Sequence, residues 1–229
     1  METSHQDVSP ARRARSPRRI VVAIALVLVA AAGAAATVAG VVRLLDHAEA
    51  ATTRATLESP RVFAVSPEQV APSPAPLAES LGPGTLSAPA AGLRVPLVSL
   101  GLDANGDFAL PRADQAAVFA DGAPLAADTG STFIAGHVVD AAGRFAPMAR
   151  LSTLRPGDRI VTVDDGGNRR HWYVVAARVV PRDGLDPAMW ATTGSRQLVL
   201  VTCAGRVDVS VGAVTSFTEN LVVTAVPVT

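Results

Sequence analysis

From residue 93 onward the chain runs in short apolar stretches, each cut off by Gly, Pro, Asn or Asp, and this punctuation excludes most architectures before any motif is considered. LRVPLVSLGLD at 93–103 predicts a strand interrupted by Pro96 and closed by DANGD at 103–107, residues that accept a positive φ. Residues 108–110 predict a short return strand. Residues 114–119, with Ala117, Val118 and Phe119 apolar, predict a helical turn, and the loop 122–130 leads to a further apolar run, Phe133, Ile134 and Ala135. LRPGD at 154–158 is a turn into a strand at 159–163, and DDGGN at 164–168 closes a hairpin onto 171–180. Strands outnumber helices, at a spacing that fits a closed or nearly closed β-barrel around one core. A single cysteine allows no internal disulfide, so that core must hold the fold by itself.

The first ninety residues divide differently. Residues 1–19 form a polar tail in which Arg12, Arg13, Arg15, Arg18 and Arg19 crowd toward residues 20–42, a stretch without charge. As a helix that stretch is about 35 Å long, enough to cross a hydrocarbon layer of about 30 Å. Arg43 abuts its far end, ahead of Asp46 and Glu49, so the excess of arginine before the span predicts a cytoplasmic N-terminus and an extracellular remainder. A cleaved signal peptide is the competing reading, but the apolar stretch outruns the usual signal core. Residues 43–90 predict a Pro/Ala-rich extracellular linker, because Pro60, Pro67, Pro72, Pro74, Pro76, Pro83 and Pro89 forbid a packed helix and disfavour a central strand. The folded domain is then expected over 91–229.

Charge excludes one class of partner. Twenty basic residues, all of them arginine, balance twenty acidic ones, so no basic surface argues for nucleic acid. No His or Cys spacing suits zinc, and no glycine-rich phosphate loop is present; neither a metal nor a cofactor is expected.

Chemistry concentrates at the ends of two apolar runs. QLVLVTCAG at 197–205 carries the chain's one cysteine, Cys203, just past Leu198, Val199, Leu200 and Val201, a run suited to a strand buried on both faces. STFIAGHVVD at 131–140 has the same design, with His137 after Phe133-Ile134-Ala135. An imidazole beside that thiol takes its proton or holds it as thiolate, making a nucleophile of a group with an ordinary pKa of about 8.5. Sequence spacing alone leaves the pairing open, and a lone cysteine in a valine-rich strand is often only packing. The other histidines offer less: His5 and His47 lie in the tail and beside the apolar span, and His171 opens a hairpin strand. Asp140, Asp183 and Asp208 lie near these segments and read as loop residues.

Four segments in order, GHVVD (136–140), FAPMARLSTLRPGDRIVTV (145–163), LVLVTCAG (198–205) and ENLVVTA (219–225), resemble the landmarks of a sortase, most closely class F and next class E. The resemblance spans about residues 93–228. It implies an eight-stranded β-barrel with short helices and a membrane-anchored cysteine transpeptidase in which His137 and Cys203 are the catalytic pair. It further implies substrates that are surface proteins bearing a Leu-Pro-x-Thr-Gly type sorting signal, cut after Thr to a thioacyl enzyme. An amine, such as that of a cell-wall precursor, resolves it.

Papain-like peptidases run Cys before His, and L,D-transpeptidases carry a Ser-His-Gly-Cys step; both patterns are absent. The sequence also departs from the sortase pattern. That family places an Arg on its last strand to steady the oxyanion or substrate carbonyl; here the matching position holds Asn220, and the place where class F relatives often carry Arg holds Thr218. Arg206, three residues past Cys203, and the amide of Asn220 are the alternative stabilisers. The missing Arg keeps open a catalytically degenerate domain that binds sorting signals without turnover. A tethered β-barrel scaffold in which Cys203 only packs is the remaining alternative.

Overall fold

The computed structural model describes residues 60–74, 80–208 and 216–228. The expected tail and span at 1–42 and the start of the linker, to residue 59, lie outside these residues. Among the described residues there are nine strands: β1 Phe63–Ala64, β2 Thr85–Ala88, β3 Leu93–Leu100, β4 Ala116–Phe119, β5 Ser131–Ala135, β6 Arg159–Val163, β7 Arg169–Pro181, β8 Gln197–Asp208 and β9 Ser216–Pro227. The hydrogen-bonded order is β1-β7-β6-β2-β3-β4-β5-β8-β9, and a further β7–β9 pairing closes β2 to β9 into a ring of eight. The mainly β, eight-stranded barrel expected from the sequence is therefore present, with β1 added outside it.

Strand formation follows the apolar runs. RIVTV and the DDGGN turn give the β6–β7 hairpin, in which the Asp164 carboxylate accepts from the Asn168 backbone N–H at 2.8 Å. β8 and β9 pair antiparallel along most of their length, and β5 joins β8 in parallel. Inside the ring, Leu86, Val95, Ile134, Trp172, Leu200 and Val223 are fully or almost fully buried in one cluster. Burying an indole of this size removes on the order of 150–250 Å2 from water, and a buried indole N–H needs a partner; Trp172 Nε1 donates to Thr162 Oγ1 at 2.9 Å.

Two expectations are corrected. Residues 116–119 form a strand where a helical turn was expected: β4 pairs in parallel with β3 and antiparallel with β5, and barrel pairing overrides the helix preference of its alanines. Residues 108–110 contribute only an isolated bridge, Leu102 to Phe108.

Structure is also present before residue 91. β2 lies between Pro83 and Pro89, which bound it without interrupting it. Residues 60–74 run along the barrel: β1 pairs with Ala176 and Ala177, Ser73 N–H donates to Gly157 O at 2.9 Å, and Arg159 donates to Ser73 O. Prolines that forbid a helix are compatible with such an edge position. Gly157 permits the approach, since a Cβ there would stand 2.8 Å from Ala71 O.

Candidate active site

The register between β5 and β8 builds the site. Ser131 pairs with Gln197 and Ala135 with Val201, a constant offset along β5. Gly136 N–H donates to Val201 O at 3.1 Å, and the buried Thr202 Oγ1 donates to Gly136 O at 2.9 Å, across a separation of 66 residues. His137 follows Gly136 directly, and the next residue, Val138, packs in the same cluster as Cys203. Glycine at 136 leaves room for Met148, since a Cβ there would lie 2.7 Å from Met148 Cγ.

The row continues across the barrel wall. Cys203 pairs with Asn220 on β9, and Asn220 pairs with Val180 on β7. Cys203, Asn220 and Val180 therefore form one line across three neighbouring strands. The alternation along β8 fixes which face they share. Val199 and Val201, with Phe133 and Ala135 of β5, pack in a cluster joined by Val180, Met189, Leu185 and Trp190. Phe108, Phe119, Phe133 and Trp190 interlock there, with ring centroids 4.5–6.5 Å apart. Cys203 continues that face of β8 beyond the aromatic cluster, so the segment between β7 and β8, which supplies Leu185, Met189 and Trp190, stands on its side of the sheet.

The thiol is half-buried and packs against Val138, Val139 and Phe217. Burial raises its pKa, while the positive charge of Arg182 pulls it down and its own backbone N–H adds a smaller lowering. Burial wins, so the thiol is held protonated above its ordinary range and needs a neighbouring base to ionise near neutral pH. Cys203 also borders an open cavity of about 730 Å3 with Val138, Ala149, Arg150 and Gly205. That volume falls within the range of small-ligand clefts, about 300–1,000 Å3.

The two expected stabilisers sit differently. Asn220 is in the row, and its Nδ2 donates to the Arg182 carbonyl at 3.0 Å. Arg206 lies in a β-bulge created by Gly205 at φ +77°, with its backbone N–H donating to Thr218 Oγ1 at 3.2 Å and its side chain exposed. Bulges of this kind occur where a strand is re-aimed beside a site. Asp140 is engaged in its own turn: it accepts from the backbone N–H groups of Ala142 and Arg144 and pairs with the Arg144 guanidinium at 2.7 Å. These bonds hold its carboxyl below the usual range. Sequence reasoning passed over Arg182, because only the antiparallel register of β7 with β9 brings it near the thiol. His171 sits opposite Val161 in the hairpin, as expected from its position.

A family model described as a sortase domain matches residues 86–228. Among solved structures, sortase A from Corynebacterium diphtheriae, as a lid mutant, is similar at 18% identity and a TM-score of 0.48, covering 82% of this chain and 92% of that one. Sortase A from Listeria monocytogenes is similar at 14% identity and a TM-score of 0.47, covering 64% and 86%. Sortase C-1 from Actinomyces oris is similar at 16% identity and 0.48, covering 63% and 72%. No protein of curated function matches the chain. The family model spans more than half of the sequence, from β2 to the end of the described last strand, and takes in both His137 and Cys203: the chain belongs to the sortase family.

Proposed function

We propose that this protein is a cysteine transpeptidase that cleaves a Leu-Pro-x-Thr-Gly type sorting signal and transfers the acyl fragment to an amine. The observation that carries this reading is the half-buried thiol of Cys203, which borders a cavity and packs against Val138, the residue after His137. Such a thiol needs a base, and His137 is the imidazole next to that contact.

Four steps follow. Cys203 Sγ gives its proton to His137 and attacks the Thr carbonyl carbon; a C–S bond forms, and the carbonyl electron pair moves onto oxygen. The oxyanion collapses, the C–N bond to Gly breaks, and His137 returns the proton to the departing amine. An incoming amine then attacks the thioester carbonyl and loses its proton to His137. Collapse of this second intermediate expels Cys203 as thiolate, which recovers the proton.

The four motifs point within the family to class F, with class E next. The uncharged stretch 20–42, flanked by arginines on its N-terminal side, supports a membrane-anchored enzyme acting outside the cell on surface proteins, with a cell-wall precursor as the amine. The test is incubation with a sorting-signal peptide. The expected result is an adduct heavier by the acyl fragment, absent from Cys203→Ala, with release accelerated by a nucleophilic amine. Peptide cleavage that survives in Cys203→Ala refutes the reading, whereas peptide binding without adduct or turnover marks a degenerate binder.

A further inference from the structure

Arg182 follows the last residue of β7, and both of its backbone polar groups are engaged from β9. Its N–H donates to Thr218 O at 3.0 Å, and its carbonyl accepts from Asn220 Nδ2 at 3.0 Å. Asn220 is the register partner of Cys203 on one side and of Val180 on the other. Val180 therefore shares the face of the thiol two strands away, at about 4.8 Å per strand. Arg182, two residues farther along β7, begins on the same side, with a long side chain able to fold back along the row.

The guanidinium is exposed, and no carboxylate among the described residues pairs with it; the ion pairs formed by Arg112, Arg144 and Arg170 lie elsewhere. Charged and titratable groups lie on the segments around Cys203: His137 after β5, Arg206 on β8, Glu219 on β9, Arg182 and Asp183 after β7, and Arg94 and Arg150, which line the same cavity as the thiol. Among them the charge of Arg182 is the one that acts on the thiol, in the direction that favours the thiolate, although exposure to solvent weakens it.

We propose that Arg182 is the guanidinium of this active site, a catalytic residue that steadies the Cys203 thiolate and then the oxyanion formed when that thiolate attacks the substrate carbonyl. The proposal rests on the nucleophilic reading of Cys203. It assigns a cation to a site whose last strand lacks one. Asn220 then acts indirectly, since its amide holds the Arg182 carbonyl and makes it a positioning residue. A planar fork of N–H donors suits a charge that moves from sulfur to oxygen during the reaction, because separate N–H groups can serve the two atoms.

The experiment compares the full-length protein with Arg182→Gln, Arg182→Lys and Arg206→Gln, with Arg155→Gln as a control that removes an exposed charge from the turn before β6. The first readout is the rate of Cys203 alkylation by iodoacetamide against pH, which needs no peptide. The second is steady-state cleavage of a sorting-signal peptide. Arg182→Gln is expected to move the alkylation profile to higher pH and to lower kcat by about a hundred- to a thousand-fold, the usual effect of losing one oxyanion donor. Arg182→Lys is expected to restore the alkylation profile while recovering only part of kcat, and Arg155→Gln to match the wild type. An unshifted profile in Arg182→Gln, or a shift in Arg206→Gln instead, overturns the assignment. A wild-type protein that never cleaves peptide refutes the transpeptidase reading and the oxyanion role with it, while the alkylation profiles still decide the thiolate role.

Discussion

Replacing Thr202 by Val tests the register that joins the two halves of the site. The hydroxyl donates to the Gly136 carbonyl at 2.9 Å in a buried setting. Valine keeps the shape of threonine but removes the donor, and a buried polar group left unsatisfied costs about 1–3 kcal/mol. For a domain of this size each kcal/mol moves the melting temperature by about 2–4 °C, so a fall of about 2–12 °C is expected. Gly136 immediately precedes His137, and the lost bond frees the backbone from which the imidazole projects. A misalignment equivalent to about 1.4 kcal/mol in the transition state lowers kcat tenfold, with KM little changed. Thr202→Ser retains the hydroxyl and is expected to keep most of both properties. Differential scanning calorimetry and peptide-cleavage kinetics on the three proteins decide the matter. If the valine variant matches the wild type, or the serine variant falls as far as valine, the hydrogen bond is not what holds the segment carrying His137 against β8.

Two further outcomes follow from the same geometry. Gly205→Ala places a side chain at φ +77°, where the left-handed conformation costs about 1–2 kcal/mol, and sets a Cβ against Thr218 Oγ1 at 2.7 Å and the Glu219 carboxylate. A lower urea midpoint together with slower Cys203 alkylation is expected, and an unchanged alkylation rate would separate the bulge from the site. Burial raises the Cys203 pKa, so the folded state holds this proton more tightly than the unfolded chain. The resulting stability is complete below the ordinary thiol range and is lost as pH rises through the higher folded value. Urea midpoints of wild type and Cys203→Ala between pH 7 and 10 should therefore show the wild type losing ground with rising pH; a gap independent of pH would contradict the shift.

How much of this was legible in the sequence varies by segment. The runs before His137 and Cys203 announced β5 and the first half of β8, because apolar β-branched stretches report burial directly, but not that β8 continues past Cys203 to Asp208. RIVTV and DDGGN likewise announced the β6–β7 hairpin. Ala116 and Ala117 misled, since alanine favours helix locally and only pairing with β3 and β5 makes these residues a strand. Pro83 and Pro89 concealed β2 for a related reason: proline excludes helix far more strongly than it excludes a four-residue strand lying between two prolines. Arg182 left no signal, because its nearness to the thiol is a product of how β7 registers on β9 and of nothing within its own neighbourhood in the chain.

The parallel docking of β8 on β5 spans 66 residues, a non-local pairing of the sort that forms late because a long loop must close before any contact repays it. Until that closure the chain carries an ordinary sulfhydryl and a distant imidazole. On the proposed reading, competence to react is conferred by the completion of folding, and a newly made polypeptide passes through its earlier stages without an activated thiolate open to acylation.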